Sequence, residues 1–141
     1  MRSFEAFATI NATPQAIWGI LTDVSGYTTW DSGVDRVDGL VAPGASITVF
    51  SKVRPGQAFP VKVTELQPPR SMRWASGLPL GLFTGERTFT LAPDANNSVR
   101  FTMREEYKGL LAAFIFRSVP DLTPSFRQFA DGLKQRAERA G

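Results

Sequence analysis

Apolar and polar residues alternate along most of the first two thirds of the chain, which is the pattern of β-strands with one buried face. The first alternating segment covers residues 4–10. The later segments share this pattern and predict strands over residues 34–40, 47–53, 59–66, 72–76, 86–91 and 99–107. Turn-forming residues separate them, and the clearest hairpin connection is Pro93-Asp94-Ala95-Asn96-Asn97. The pattern therefore predicts a series of about seven antiparallel strands.

A short helix is expected between the first two strands. Thr13 and Pro14 provide a helix cap and a first-turn proline directly after the first strand. The helix is expected to end at Gly26, and residues 27–30 are expected to form one further short turn or helix.

A long helix is predicted at the end of the chain, beginning near Thr123-Pro124. Its apolar residues recur on one face: Leu122, Phe126, Phe129, Ala130, Leu133 and Ala137. Runs of strands beside segregated helices indicate an α+β fold. The long helix must then lie across one face of the sheet, and a strongly curved sheet can enclose a cavity between itself and the helix.

Composition agrees with one globular unit that spans residues 1–141. Of the 141 residues, 43% are hydrophobic and 21% are charged, close to the average of soluble proteins. The chain has no apolar run long enough for a transmembrane helix, so we expect no stable membrane insertion. Residues 1–7 are polar and acidic where a signal peptide is apolar, so a cytoplasmic location is expected.

The chain contains neither cysteine nor histidine. Disulfides, Cys/His zinc sites and catalytic triads built on histidine are therefore excluded. No carboxylate pair has metal-ligand spacing, so we expect no metal. We expect no cofactor either. The net charge of +3 is spread along the chain without a polybasic run, so nucleic acid is not an expected partner. Any acid–base chemistry must use Asp, Glu, Tyr, Lys or water.

The last predicted hairpin carries the most informative polar residues. Alternation puts Glu105 and Tyr107 on the apolar face of the last strand, and Arg87 on the apolar face of the strand before it. A turn near Asn96 would make Arg87 and Glu105 nearly cross-strand neighbours. The pair is either a polar anchor in an apolar pocket or an ordinary structural ion pair at the strand ends. As an anchor, Arg87 would hold a ligand carboxylate, phenolate or carbonyl, and Glu105 would orient Arg87 or accept a proton.

Aromatic and aliphatic residues complete the candidate pocket. Trp74 either stacks against a planar ligand or belongs to the core. The aromatic stripe of the last helix is expected to be core and cavity wall at once. The candidate ligand-binding residues all face inward in these predictions: Trp74, Arg87, Phe89, Phe101, Met103, Glu105, Tyr107, Phe126, Phe129 and Leu133. The loop tips at 55–57 and 79–83 are expected to gate the mouth of the cavity.

The segment 109–116 is unusually apolar for a connection. Three interpretations remain open for it: a short helix that covers the pocket, a homodimer face, or a contact with a membrane surface. It is too short to span a bilayer.

Several local motifs resemble one protein family. Ile10-Asn11-Ala12-Thr13-Pro14 is similar to its first strand and helix start, Asp23, Tyr27 and Trp30 match its D-x-x-x-Y-x-x-W pattern, and Met72-Arg73-Trp74 is similar to its central hairpin. Over nearly its whole length the sequence resembles the START/Bet v 1-like superfamily, in particular its bacterial polyketide cyclase/dehydrase-like branch. The resemblance implies a helix-grip fold. It also implies a largely apolar cavity that binds hydrophobic or amphipathic small molecules such as polyketides, sterols, lipids or quinones.

Three functions are compatible with these expectations. The first is binding of a hydrophobic small molecule in the cavity. The second is a polyketide cyclase, aromatase or dehydratase that uses the same cavity, in which positioning would supply much of the catalysis. The third is a protein-interaction module without a ligand. No catalytic motif of the family matches this chain residue by residue, so the sequence assigns no catalytic residue.

Overall fold

A computed structural model describes residues 2–140 of the protein. The strands are β1 (Arg2–Ile10), β2 (Val34–Asp38), β3 (Ser46–Ser51), β4 (Ala58–Gln67), β5 (Ser71–Leu78), β6 (Phe83–Pro93) and β7 (Val99–Lys108). The α-helices are α1 (Pro14–Thr22), α2 (Ala112–Ser118) and α3 (Thr123–Ala140). Two 3₁₀ helices cover Val24–Thr29 and Ala95–Asn97. Within the described part of the chain, no helix is both long and apolar enough to cross a membrane.

The strands form one curled antiparallel sheet in the order β1-β7-β6-β5-β4-β3-β2. Sequential strands from β2 to β7 are neighbours, and β1 lies at the edge of the sheet, paired with β7. The predicted α+β architecture is therefore confirmed. The β5–β6 hairpin is longer than the sequence predicts, because its ladder continues through Gly77 opposite Thr84 and Leu78 opposite Phe83. Gly77 interrupts the alternation of side chains, so the sequence pattern does not predict this extension.

The helix α1 begins as predicted and ends earlier than predicted. The Thr13 hydroxyl accepts a hydrogen bond from the Ala16 amide at 3.1 Å, which caps the first turn. The helix ends at Thr22, and Gly26 lies inside the 3₁₀ helix that follows. The hydroxyl of the buried Tyr27 donates to the Leu21 carbonyl. This bond satisfies a carbonyl of the last turn of α1, so the chain leaves the α-helical path there and not at the glycine.

The long helix α3 lies across the inner face of the sheet, and its buried stripe is the predicted one. Phe129 is at the centre of an aromatic cluster with Tyr27, Trp30, Phe89 and Phe101, whose ring centroids lie 5.2–6.2 Å from its own. Edge-on and tilted ring contacts of this kind add to the stabilisation from burial alone.

Polar contacts attach the other end of α3 to the start of the chain. The Lys134 ammonium donates to the Thr9 carbonyl at 2.7 Å, and the Asn11 amide donates to the Glu138 carboxylate at 2.9 Å. The hydrogen bond from the Asn11 amide lowers the pKa of Glu138. The C-terminal half of the helix is therefore fixed against β1 and the loop that follows it.

The helix α3 passes very close to the loop before β2 at Gly132. A Cβ atom at Gly132 would lie 2.0 Å from the Asp31 carbonyl oxygen and 3.2 Å from the Trp30 ring. The backbones can approach this closely only because residue 132 has no side chain. In α1, by contrast, a Cβ at Gly19 would meet nothing within 4 Å.

We expect Gly132→Ala and Gly19→Ala to change the free energy of unfolding in opposite directions. The first forces α3 away from a rigid backbone carbonyl and should destabilise the protein by about 2 kcal/mol or more. The second should stabilise it by about 0.5–1 kcal/mol, because alanine favours helix more than glycine does. Urea denaturation of both variants measures this. Equal effects would show that α3 does not approach the loop as described.

Candidate functional site

A cavity of about 350 Å³ lies between the inner face of the sheet, α2 and the N-terminal half of α3. Strands β2 to β7 and the two residues before β2 provide one wall, and residues from 115 to 129 provide the other. Most of the lining side chains are apolar, including Val61, Met103, Ile115 and Phe126. The cavity lies toward the β5–β6 loop and the end of β7, away from the turn that joins β6 to β7.

Arg87 and Glu105 form an ion pair in the cavity wall. They are directly opposite each other on β6 and β7, as the sequence predicts. The Arg87 Nε and Nη2 atoms donate to Glu105 Oε2 at 2.8 and 2.5 Å. Their side chains are only 26% and 14% exposed, and the guanidinium lies 4.9 Å from the centre of the Phe126 ring. The two bonds from one guanidinium offset the cost of removing both charges from water.

Tyr107 lies on the same face of β7 as Glu105 and also lines the cavity. Its ring packs against Phe4, Phe83 and Phe116, with centroids 5.5–6.1 Å apart. Burial raises the pKa of Tyr107, and the Glu105 carboxylate raises it further, while Arg87 acts in the opposite direction. The phenol therefore stays protonated at neutral pH and can donate a hydrogen bond.

Trp74 lies on β5 directly opposite Arg87. Its indole is 3% exposed, meets the Phe89 ring at 4.7 Å, and forms part of the cavity wall. Its Nε1 atom is buried and has no hydrogen-bond acceptor among the described residues. Trp74 is thus both core and cavity wall.

The structure brings most of the predicted site residues together around the cavity. Those that line it are Trp74, Arg87, Met103, Glu105, Tyr107, Phe126 and Phe129. Phe89, Phe101 and Leu133 are instead placed in the core, where they are 0–1% exposed, and do not belong to the lining. The reason is that α3 packs directly on this part of the sheet through Phe129, so no space remains there.

Sequence patterns did not identify the residues at the far side of the cavity. Val49, Phe59 and Val61 on β3 and β4 line it, as do Arg54 and Ser118. Alternation places Val49 on the inward face of its strand. It does not show which part of the curved sheet is left uncovered by α3. The loop at 55–57, which the sequence predicts at the cavity mouth, was the signal that could have pointed to Arg54, because Arg54 directly precedes it.

The apolar segment 109–116 comprises the turn before α2 and the first five residues of that helix, and its inner side borders the cavity through Ile115. Phe116 stacks on Phe4 with ring centroids 5.2 Å apart. The segment is attached to the β5–β6 loop, because the Leu111 amide donates to the Leu82 carbonyl at 2.8 Å. The prediction of a short helix over the pocket agrees with this placement. Phe114 is 73% exposed on the outer side, where the dimer face and the membrane contact stay predictions.

Among residues 2–140, no three or more potential metal ligands come together. The polar side chains that line the cavity are those of Arg54, Arg87, Glu105, Tyr107 and several serines.

A family model provides a sequence-level comparison. The model described as polyketide cyclase/dehydrase and lipid transport matches residues 1–138. No curated protein sequence matches the chain.

Solved structures provide the comparison of folds. An aromatase/cyclase, Zhui, from Streptomyces sp. R1128 has 13% identity and a TM-score of 0.72, with 98% of this chain and 94% of the other covered. A START superfamily protein from Mycobacterium smegmatis has 14% identity and a TM-score of 0.71, with 99% of both chains covered. The Aha1 dimer from Colwellia psychrerythraea has 20% identity and a TM-score of 0.70, with 98% and 97% covered. At these identities the likeness concerns the fold, and it confirms the helix-grip fold that the sequence implied.

The two tyrosines make the stability depend on pH in alkaline solution. Burial is the main cause that raises the pKa of both Tyr27 and Tyr107 above the ordinary value of 10.0. Above pH 10 the unfolded chain releases these phenolic protons while the folded chain retains them. The contribution of the two tyrosines to the free energy of unfolding should therefore be constant below about pH 10 and fall above it, by about 1.4 kcal/mol per pH unit for each tyrosine.

Denaturation at several alkaline pH values, with tyrosinate absorbance followed in parallel, tests this. Tyrosinate should form only as the protein unfolds. Ionisation of either tyrosine at its ordinary pKa in the folded state would contradict the buried environment described above. Tyr27→Phe and Tyr107→Phe assign the two contributions.

Proposed function

The chain belongs to the polyketide cyclase/dehydrase and lipid transport family, and from this premise we propose that it binds a hydrophobic or amphipathic small molecule in the cavity between the sheet and α3. The observation that carries the proposal is the cavity itself. Its volume of about 350 Å³ is in the range of small-molecule sites, and its wall is mostly apolar with a few convergent polar groups. A ring-containing or acyl ligand matches this size and lining.

The ion pair gives such a ligand an orientation. Glu105 occupies Nε and Nη2 of Arg87, and no acceptor for Nη1 is found within residues 2–140. A ligand carbonyl, phenolate or carboxylate oxygen would accept from that nitrogen. The apolar body of the ligand would then contact Trp74, Met103 and Phe126, which line the same space.

A second candidate function is a cyclase, aromatase or dehydratase reaction in the same cavity. The observation that favours it is the pairing of a carboxylate with a protonated phenol, since Glu105 can accept a proton and Tyr107 can donate a hydrogen bond to a substrate carbonyl. Zhui, an aromatase/cyclase, has the same fold. The cavity wall would hold a flexible polyketone chain in a folded shape, so positioning would supply much of the rate.

Binding is tested with the fluorescent anion 1-anilinonaphthalene-8-sulfonate. We expect saturable binding at one site in the wild-type protein. The double variant R87M/E105Q removes the anchor without leaving one buried charge unpaired, and should weaken binding about tenfold.

Arg36→Met is the matched control, because Arg36 is 61% exposed and pairs with Asp38 on the surface. It should leave the dissociation constant unchanged. The thermal unfolding of each variant is recorded so that lost binding is not confused with lost folding. Absence of saturable binding in the folded wild-type protein would overturn the proposal.

Glu105→Gln separates the two candidate functions. With a linear polyketone as substrate and absorbance of the aromatic product as the measurement, an enzyme should lose nearly all turnover, because the proton acceptor is gone. Glu106→Gln is the control, since Glu106 is on the other face of β7 and pairs with Arg104. No turnover by the wild-type protein would eliminate the second candidate and leave binding standing. Full turnover by Glu105→Gln would exclude Glu105 as the proton acceptor.

A further inference from the structure

The cavity wall carries a charge that the ion pair does not neutralise. Its charged residues are Arg54, Arg87 and Glu105. Arg87 and Glu105 neutralise each other. Within the described residues Arg54 forms no salt bridge with a carboxylate, so the wall has one uncompensated positive charge.

This charge lies at the mouth of the cavity. Among the lining residues, Val53, Ser118 and Pro120 are exposed to solvent, and a fourth exposed one, Ser76, is on β5. Val53 belongs to the β3–β4 loop, Ser118 is the last residue of α2, and Pro120 lies in the connection from α2 to α3. These segments therefore border the opening. Arg54 is in the same loop and is half-buried.

A hydrogen bond holds Arg54 across this opening. Its Nη2 atom donates to the Ser118 carbonyl oxygen at 3.1 Å, which joins the β3–β4 loop to the last residue of α2. A guanidinium has five N–H donors in a planar fork, and this bond uses one of them. No acceptor for Nε or Nη1 of Arg54 is found in residues 2–140. The Ser118 bond uses only one of the two Nη2 hydrogens, so the other Nη2 hydrogen remains beside an N–H of Nε or of Nη1. Such a pair of parallel N–H groups matches the two oxygens of a carboxylate.

We propose that Arg54 binds the carboxylate of an amphipathic ligand whose apolar body fills the cavity. The inference rests on the proposed function and names the class of its ligand, which is a hydrophobic acid. A single guanidinium without a second unpaired cation in the wall matches a group with one negative charge. The carboxylate stays near water at the mouth, and the apolar part reaches Phe126 and Trp74.

A matched pair of fluorescent probes tests the proposal. 4-(1-Pyrenyl)butyrate and 4-(1-pyrenyl)butanol share the ring system and spacer and differ in the charged head group. The wild-type protein should bind the acid about tenfold more tightly than the alcohol at neutral pH and low salt. Arg54→Gln should weaken binding of the acid by about that factor and leave binding of the alcohol within about twofold.

Lys52→Gln is the matched control, because Lys52 is an exposed cation near the same loop and does not line the cavity. It should preserve the preference for the acid, and Arg54→Lys should retain part of it. Equal binding of both probes to the wild-type protein, unchanged by Arg54→Gln, would overturn the inference and limit Arg54 to holding α2, while the proposed function would stand. A preference that is lost in R87M/E105Q and kept in Arg54→Gln would move the carboxylate to Arg87. No binding of either probe would overturn the proposed function and the inference together.

Discussion

One helix has to cover the inner face of a seven-stranded curled sheet, and α3 is in close contact with it over only part of that face. At its C-terminal half, Gly132 and the polar contacts to Thr9 and Asn11 bring the helix against the backbone of its neighbours. At Phe129 the helix still meets the aromatic core, and its N-terminal half borders the cavity through Phe126 and Phe129. The space that opens there is the cavity, so its position follows from the place where the helix is fixed.

The polar groups follow from the same geometry. An apolar wall makes an isolated charge costly, and the antiparallel register places Arg87 and Glu105 side by side, where each satisfies the other. Tyr107 lies next to them and keeps its proton because the surroundings disfavour its anion. The deep part of the cavity is thus polar without a net charge. Arg54, at the mouth, carries the unbalanced charge in a place where water already lowers its cost.

Much of this arrangement could be predicted from sequence. Alternation on two neighbouring strands was sufficient to pair Arg87 with Glu105, since a two-residue period fixes the face and a hairpin fixes the register. The stripe of α3 was equally clear. The sequence did not distinguish residues that line the cavity from residues of the core, because Phe89 and Arg87 lie on the same face of β6. Only the distance between α3 and the sheet at each position separates them. Arg54 was missed because its role depends on the Ser118 carbonyl, which is distant in sequence.

The division of the cavity between strands and loops has a consequence for how such a protein can diversify. The deep wall is built from paired strands, where a substitution disturbs register and core together. The mouth is built from the β3–β4 loop and the end of α2, which are joined through one side-chain hydrogen bond. On the proposed function, replacements at the mouth would therefore change the preferred head group of a ligand at little cost to folding. Preference for the apolar body should change more slowly over the history of the family, and the two halves of recognition can evolve at different rates.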